Sequence, residues 1–362
     1  MQIKPNHSGQ SPIARAAEDE FVGVRLLRDD EDDLWERFVA GSERGSFFHR
    51  IGWRGIFRDI FELNPRYLIA ERGNIVVGVL PLVFQRSILF GNALLSTPFC
   101  VEGGPIATDD AADAALTAAA LVMREELQAP FVEFRSTHAA HAGWAVKKDL
   151  YATFSGSITA DDATNLLAIP RKQRAVVRKT LDSKLVSVVD ANADRLFAVY
   201  AESVRNLGTP VFPKRYFSEL KRVFGEDCDI VVVLDGDQAV SAVLNFYHRG
   251  TVLPYYGGGR LAARRSGAND FLYWEVMRRA AQRGCRRFDF GRSKAGTGAF
   301  SFKKNWGFEP QWLEYEYFLP PGRSLPNKNP LNPKYALLIE AWKRLPVPIA
   351  NFIGPYLVRG LG

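Results

Sequence analysis

Phe288-Asp289-Phe290-Gly291-Arg292-Ser293-Lys294, then Gly296-Thr297-Gly298, then Phe302-Lys303-Lys304-Asn305-Trp306-Gly307-Phe308 bring a carboxylate, an arginine and three lysines around a glycine-rich turn. The pattern reads as a strand that stops in a basic loop and re-enters a short helix. Such a turn gathers backbone N–H groups and cations at a strand end, where anions and oxyanions bind. Asp289 carries two readings: an acid/base or amine-binding group, or a half-buried carboxylate that pairs with an arginine to hold the loop. Arg292, Ser293 and Lys294 are candidates for a substrate carboxylate or phosphate.

A second basic, glycine-rich stretch precedes a helix. Gly257-Gly258-Gly259-Arg260-Leu261-Ala262-Ala263-Arg264-Arg265-Ser266-Gly267-Ala268-Asn269-Asp270 leads into Phe271-Leu272-Tyr273-Trp274. Asn269 or Asp270 is expected to cap that helix, with its free N–H groups facing Arg264 and Arg265 across a phosphate pocket. An ordinary capped surface loop is the plainer alternative. Arg171, Arg174 and Arg178 share one face of a further predicted helix, either as a phosphate-binding face or a solvated one. No aromatics interleave with them for base stacking, which argues against sequence-specific RNA reading; no DNA partner is expected.

These residues need elements to position them, and the order of elements repeats. Tyr67–Val83 reads as two strands around a Gly-Asn turn, Leu94–Val101 as a strand, and Gly103-Gly104-Pro105 as a break. A helix over Asp110–Leu127 and a strand over Phe131–Ser136 follow. Ile230–Leu244, Val252–Tyr256, Gly257–Gly259, Asp270–Arg283 and Phe288–Ser293 repeat that order. The two closing strands share Phe, an acid, Phe, Arg and Ser in sequence. We read a tandem duplication of one α/β unit, of α+β type, each a mixed central sheet flanked by helices. The expected divisions are a flexible tail over 1–20, a first domain over 21–155, a second, donor-binding domain over 156–320, and a C-terminal segment over 321–362. Lys294, Gly296–Gly298 and Lys303-Lys304 have no counterpart in the first copy, so function is expected in that difference.

Composition sets the class. A chain of 362 residues, 47% hydrophobic, suffices for two packed domains. Its net charge of +7 suggests an anionic partner, or simple solubility. Cys100, Cys228 and Cys285 lack CxxC spacing and are expected as buried thiols. His138 and His141 have no Glu or Cys at ligand spacing, so no metal is expected. With no apolar signal segment and no transmembrane run, the chain is expected in the cytoplasm. From Tyr335 to Gly362, Leu337, Leu338, Ala341, Trp342 and Leu345 fall on one helical face, followed by an apolar stretch broken by prolines. That segment is expected either to pack across a domain or partner, or to dock shallowly on the inner face of the membrane.

Four segments carry a family resemblance: Ile169-Pro170-Arg171-Lys172-Gln173-Arg174, Leu207-Gly208-Thr209-Pro210-Val211-Phe212-Pro213, Asp289–Lys294 and Phe302–Gly307. Together with the element order, they resemble the GNAT acyltransferases in their duplicated FemAB-like, or BioF2-like, form, and within it the branch associated with exosortase/PEP-CTERM and exopolysaccharide loci. The resemblance implies tandem GNAT-like domains and transfer of an acyl or aminoacyl group to an amine on a sugar or peptide acceptor. It implies acyl-CoA as donor, with aminoacyl-tRNA as the alternative donor of the Fem enzymes. A non-catalytic module binding a polysaccharide or partner is the reading from a different class. On the GNAT plan Gly258, Gly259, Arg264, Arg265, Gly267, Asn269, Lys303 and Lys304 would bind the cofactor, although Asn269 stands where the loop pattern has Gly or Ala. Aminolysis needs a neutral amine, oxyanion stabilisation and positioning. Asp289, Tyr256 and Arg292 are the catalytic candidates, Tyr256 as a proton donor to the leaving group. Asn206, Thr209, Ser293, Lys294 and Arg174 are candidates for the substrate side.

Overall fold

The computed structural model describes residues 21–87, 91–136, 139–326 and 333–361. The tail expected over 1–20, and His138, lie outside the described residues. The chain begins β1 (Val22–Leu26), α1 (Asp32–Gly41), α2 (Gly52–Asp59), β2 (Asn64–Arg72), β3 (Ile75–Gln85), β4 (Ala93–Ser96) and β5 (Ile106–Ala107). It continues α3 (Asp110–Glu126), β6 (Val132–Ser136), β7 (Ala145–Lys147), β8 (Tyr151–Ser157), α4 (Asp162–Ala168), α5 (Arg171–Leu181), β9 (Leu185–Val189), α6 (Asp194–Leu207) and α7 (Lys214–Phe224). Next come β10 (Cys228–Asp235), β11 (Gln238–His248), β12 (Thr251–Gly259), α8 (Leu261–Ser266), α9 (Ala268–Gln282), β13 (Arg287–Asp289) and β14 (Ser293–Lys294). The last elements are α10 (Gly298–Asn305), β15 (Pro310–Trp312), β16 (Glu314–Phe318), α11 (Pro333–Arg344) and α12 (Val347–Val358).

Two eight-stranded sheets result, in the orders β1-β2-β3-β4-β6-β16-β7 and β14-β8-β13-β12-β11-β10-β9, with β5 on β3 and β15 on β8. The repeat is visible in the pairing. β4 runs parallel to β6 as β12 runs parallel to β13, and each pair follows an antiparallel hairpin. The closing strand of each unit is flanked by a strand from the other part of the chain: β6 by β16, β13 by β8. This exchange ties the two units together through backbone hydrogen bonds.

Packing follows strand alternation. On β2, Tyr67 and Ile69 face a core shared with α1, α2, α6 and α7, while Leu68 and Ala70 face the outer core under α3. On the second sheet Ile230 and Val232 enter the shared core, and Val231 and Val233 pack beneath α9. The shared core is aromatic: Phe47 stacks on Phe246 with centroids 4.3 Å apart, and Phe61 meets Tyr216 at 5.0 Å.

Three local expectations change. The strand expected over Leu94–Val101 stops at Ser96, because Thr97 and Phe99 take positive φ of 40° and 69° and bend the chain into a loop. The Gly257–Gly259 break is the end of β12, hydrogen-bonded to β11. Neither Asn269 nor Asp270 caps α9; Gly267, at φ 74°, stands at its N-cap with no side-chain bond.

Candidate active site between the two units

The parallel pairing of β12 with β13 covers only Thr251↔Arg287 and Val252↔Phe288. Beyond it β12 follows β11 while β13 follows β8, so the sheet splays open. A bulge between Leu244 and Asn245 lies opposite this point and leaves Tyr255 unpaired on its strand. Splays and bulges of this kind leave backbone groups available at sites.

Asp289 closes β13 at the mouth of the splay. Its Oδ1 accepts from Thr153 Oγ1 at 2.7 Å and from the Gly291 N–H at 2.8 Å. Burial raises its pKa, against the pull of Thr153 and Gly291. One carboxylate oxygen thus holds the turn, as the structural reading expected, with Thr153 in place of an arginine. Lys303, on α10, turns under the same turn and donates to the carbonyls of Gly291 and Arg292 at 2.8 and 3.1 Å. Burial lowers its pKa to about 7. Lys304, its neighbour, is exposed. The glycine-rich turn before α10 is a helix cap: Thr297 Oγ1 accepts from the Phe300 N–H and donates to the Lys294 carbonyl.

Arg292 meets the first unit. Its guanidinium lies 4.8 Å from the Tyr151 ring and 5.8 Å from the Tyr315 ring, and donates to Tyr315 Oη at 2.9 Å. Tyr315 Oη donates in turn to the Val101 carbonyl at 2.6 Å. Arg135, the counterpart of Arg292 in the repeat, sits 5.8 Å from the same Tyr315 ring. The two arginines differ in one respect. Arg135 is buried and paired with Glu133 at 2.8 Å, whereas no carboxylate pairs with Arg292 among the described residues. A guanidinium in a half-buried place without a counter-ion is poised for an anion that arrives with a ligand. Beside it, Ser293 Oγ is buried with no hydrogen-bond partner.

The residue that sequence reasoning missed is Glu102. It lies half-buried on the loop from Thr97 to Pro105, which Arg135 clamps through the carbonyls of Thr97 and Cys100. Burial, then the nearby charge of Asp289, raises its pKa to about 7, with Ser46 within hydrogen-bonding reach. His49 Nε2 bonds the Gly104 carbonyl at 2.9 Å, so Nε2 carries the proton and Nδ1 accepts from Ser46 Oγ at 2.8 Å. Ser46 then offers Glu102 a lone pair, which favours the protonated carboxyl. Glu102 of the first unit thus lies within charge range of Asp289, whose turn Lys303 holds, and its neighbour Val101 is tied through Tyr315 to Arg292. The signal for it in the sequence is an acid just before the Gly103-Gly104 break, the counterpart of Gly257–Gly259 in the repeat.

That loop has no slack. A Cβ on Gly103 would stand 1.7 Å from Thr97 Oγ1, the hydroxyl that donates to the Glu102 carbonyl. Gly103→Ala is expected to lower stability by about 1–3 kcal/mol and to displace Glu102. Thermal unfolding beside an activity assay checks this; an unchanged melting temperature would contradict the loop packing.

The remaining candidates fall elsewhere. Tyr256 is buried with its hydroxyl 2.7 Å from Tyr216 Oη, in the aromatic wall, and burial holds it protonated. Gly258 packs on α6, where a Cβ would lie 2.7 Å from Ser203 Cβ, and Gly259 packs on Asn269. Asn269 Oδ1 accepts from Ser241 Oγ at 2.7 Å. These groups face protein rather than an open loop, because β12 continues where a break was expected. Asn206 and Thr209 flank Gly208 at the C-terminal turn of α6, and it is Gly208 that packs against Ile339 and Lys343 of α11. Among the described residues no hydrogen bond ties them to Asp289 or Arg292. Lys294 pairs through its backbone with Tyr151.

Arg264 and Arg265 are exposed on α8, directly before Gly267. Gly267 in turn abuts Thr180 of α5, the helix that carries Arg171, Arg174 and Arg178. Arg174 also donates to the Leu167 carbonyl at 3.1 Å. Basic stretches thus flank the uncapped N-terminus of α9. Trp306, at the end of α10, donates to Asp270 in the first turn of α9 and so links the Lys303 helix to this end of the splay. Among the described residues no group of His, Cys, Asp or Glu is placed to hold a metal ion.

Two units of one topology, each a mixed sheet with one parallel strand pair, make the fold a tandem of GNAT domains. Residues 169–304 match the family model described as an acetyltransferase (GNAT) domain. No curated protein matches the chain in sequence. Among solved structures FemX is similar at a TM-score of 0.58 and 14% identity, over 81% of this chain and 96% of that one. The C-terminal domain (DUF2156) of a putative lysylphosphatidylglycerol synthetase from Agrobacterium fabrum gives 0.54 and 12%, over 80% and 92%. A tandem GNAT protein from the clavulanic acid biosynthesis pathway gives 0.52 and 13%, over 84% and 100%. At these identities the likeness is one of fold.

Proposed function

We propose that the chain is an N-acyltransferase that moves an acyl group from a CoA thioester to an amine on a sugar or peptide of the cell envelope or an exopolysaccharide, working in the cytoplasm. The observation that carries this reading is the cluster of Glu102, Asp289, Arg292 and Lys303 where the two units meet. The uncapped start of α9 at Gly267, with Arg264 and Arg265 beside it, fits the donor phosphates. Gly258, Gly259 and Asn269 support that end by packing. The envelope setting, and the association with exosortase loci, rest on the sequence motifs of Leu207–Pro213 and Asp289–Lys294.

The chemistry needs a base, an acid and a cation. Acyl-CoA supplies the activated carbonyl. Glu102, ionised, takes a proton from the acceptor amine as its nitrogen bonds the carbonyl carbon. Arg292, with its guanidinium oriented by Tyr151 and Tyr315, stabilises the negative charge that develops on the carbonyl oxygen. Lys303, protonated, returns a proton to the departing sulfur as the C–S bond breaks. Asp289 holds the Gly291 turn and keeps the Glu102 proton affinity high. Because Glu102 and Lys303 both titrate at about 7, activity should rise with Glu102 ionisation and fall as Lys303 loses its proton. A thiol-release assay across pH with amino-sugar and peptide acceptors checks this. A profile flat from pH 5 to 9 would remove both groups from the chemistry.

A second reading, with aminoacyl-tRNA as donor, is favoured by the exposed Arg171 and Arg178 on α5, for which no carboxylate partner is present among the described residues. It expects tRNA binding that weakens steeply with salt and is lost on neutralising both arginines.

A further inference from the structure

The C-terminal helix α12 is amphipathic in reverse. Its small residues Ala350 and Gly354, with Val358, form the buried stripe. Gly354 sits so close to Val211 that a Cβ would lie 2.9 Å from the Val211 nitrogen. The large apolar residues point outward at i, i+3, i+4 and i+7: Ile349, Phe352, Ile353 and Tyr356. Phe352 is 72% exposed and Tyr356 65%, and their rings lie 6.1 Å apart. On α11, Leu337 and Leu338 are likewise exposed, at 83% and 66%. The helix is not a loose end. Arg359 pairs with Glu62 at 2.8 Å, and Gln85 donates to the Arg359 carbonyl, so the first unit fixes its far end while Val211 of the second fixes its middle. The packing expected of this segment is thus present, and it holds an apolar stripe out to solvent.

Charge decides what covers that stripe. Residues 321–362 carry six basic residues and one acid, so five of the chain's seven net positive charges fall in this segment. The single acid, Glu340, is paired with Lys343 at 2.6 Å, and Arg344 is exposed. Two copies joined through this segment would bring together two chains with like net charge there. An anionic lipid surface offers both complements at once, hydrocarbon for Phe352 and Tyr356 and headgroup charge for Arg344. The twelve residues of α12 rise only about 18 Å, too short to cross a bilayer core of about 30 Å, and no helix among the described residues is long and apolar enough to span. We propose that α12 lies in the plane of an anionic membrane surface, with Ile349, Phe352, Ile353 and Tyr356 inserted, and thereby holds the protein at the membrane.

The test is co-sedimentation of the full chain with vesicles of phosphatidylcholine alone or mixed with phosphatidylglycerol. It needs no substrate, so its outcome is independent of the acyl-transfer reading. Binding to the mixed vesicles is expected. Phe352→Ser combined with Tyr356→Ser should weaken it by about tenfold or more, since each ring forfeits its burial. Arg344→Gln should weaken it by a smaller factor, and only on the mixed vesicles. Both sites are on the surface, and an unchanged melting temperature confirms intact variants. The proposal is overturned if wild type stays in the supernatant with mixed vesicles, or if the double variant sediments as wild type does. It is equally overturned by a wild-type dimer that the double variant dissolves without vesicle binding, which would make this face an interface between copies.

Discussion

Glu102→Gln is expected to lower turnover by about 100-fold or more at pH 7, with little change in the donor's apparent affinity. The amide keeps the size of the side chain and its contact with Ser46 but cannot accept a proton. The rising limb of the pH profile should vanish with it, while the falling limb, assigned to Lys303, stays. Stability moves in the opposite direction. Glu102 is raised from 4.5 to about 7 in the folded chain, so between those values the folded state holds a proton that the unfolded state has released. Its ionisation therefore takes away stability as pH rises from about 4.5 to about 7. Glu102→Gln removes that loss, so the variant should melt at or above the wild-type temperature at pH 8. A variant both inactive and less stable would mark Glu102 as a structural residue.

Arg292→Ala and Arg135→Ala form the second pair, at equivalent positions of the repeat with opposite expected outcomes. Arg292 has no carboxylate partner among the described residues, and Tyr315 Oη retains its bond to the Val101 carbonyl when the guanidinium is removed. Its loss should cost activity of about 100- to 1000-fold, the scale for an oxyanion donor, with little change in melting temperature. Arg135 is paired with buried Glu133 and holds the Thr97 and Cys100 carbonyls. Its loss leaves a carboxylate buried without its cation, for an expected destabilisation of about 3–5 kcal/mol. Denaturant unfolding of both variants separates the roles. Equal destabilisation would mean that the duplicated arginines do the same structural work.

The repeat explains what could be read in advance. Both hairpins, the long helices and the closing strands follow from hydrophobic period and Gly-Asn or Asp-Gly turns, which are local signals. The exchange of β8 and β16 between sheets is not local; nothing in the short Glu314–Phe318 segment marks it for the first sheet. The site was half legible for the same reason. Asp289, Arg292 and Lys303 lie within one strand-turn-helix motif, whereas Glu102, Tyr151 and Tyr315 reach it only through the fold. Residues that only the second copy has, Lys303 among them, make one part of the candidate site, and the first copy's bent loop with Glu102 makes the other. Lys303 shows the limit of motif reading: as one of two adjacent lysines it resembled a surface phosphate binder, yet it is buried and Lys304 alone faces out.

Calorimetric titration of the full chain with acetyl-CoA, beside charged tRNA, tests the central claim most directly. The account predicts saturable one-to-one binding of acetyl-CoA, weakened by Arg264→Ala with Arg265→Ala and retained in Glu102→Gln. No heat with acetyl-CoA, and salt-sensitive binding of charged tRNA in its place, would contradict it.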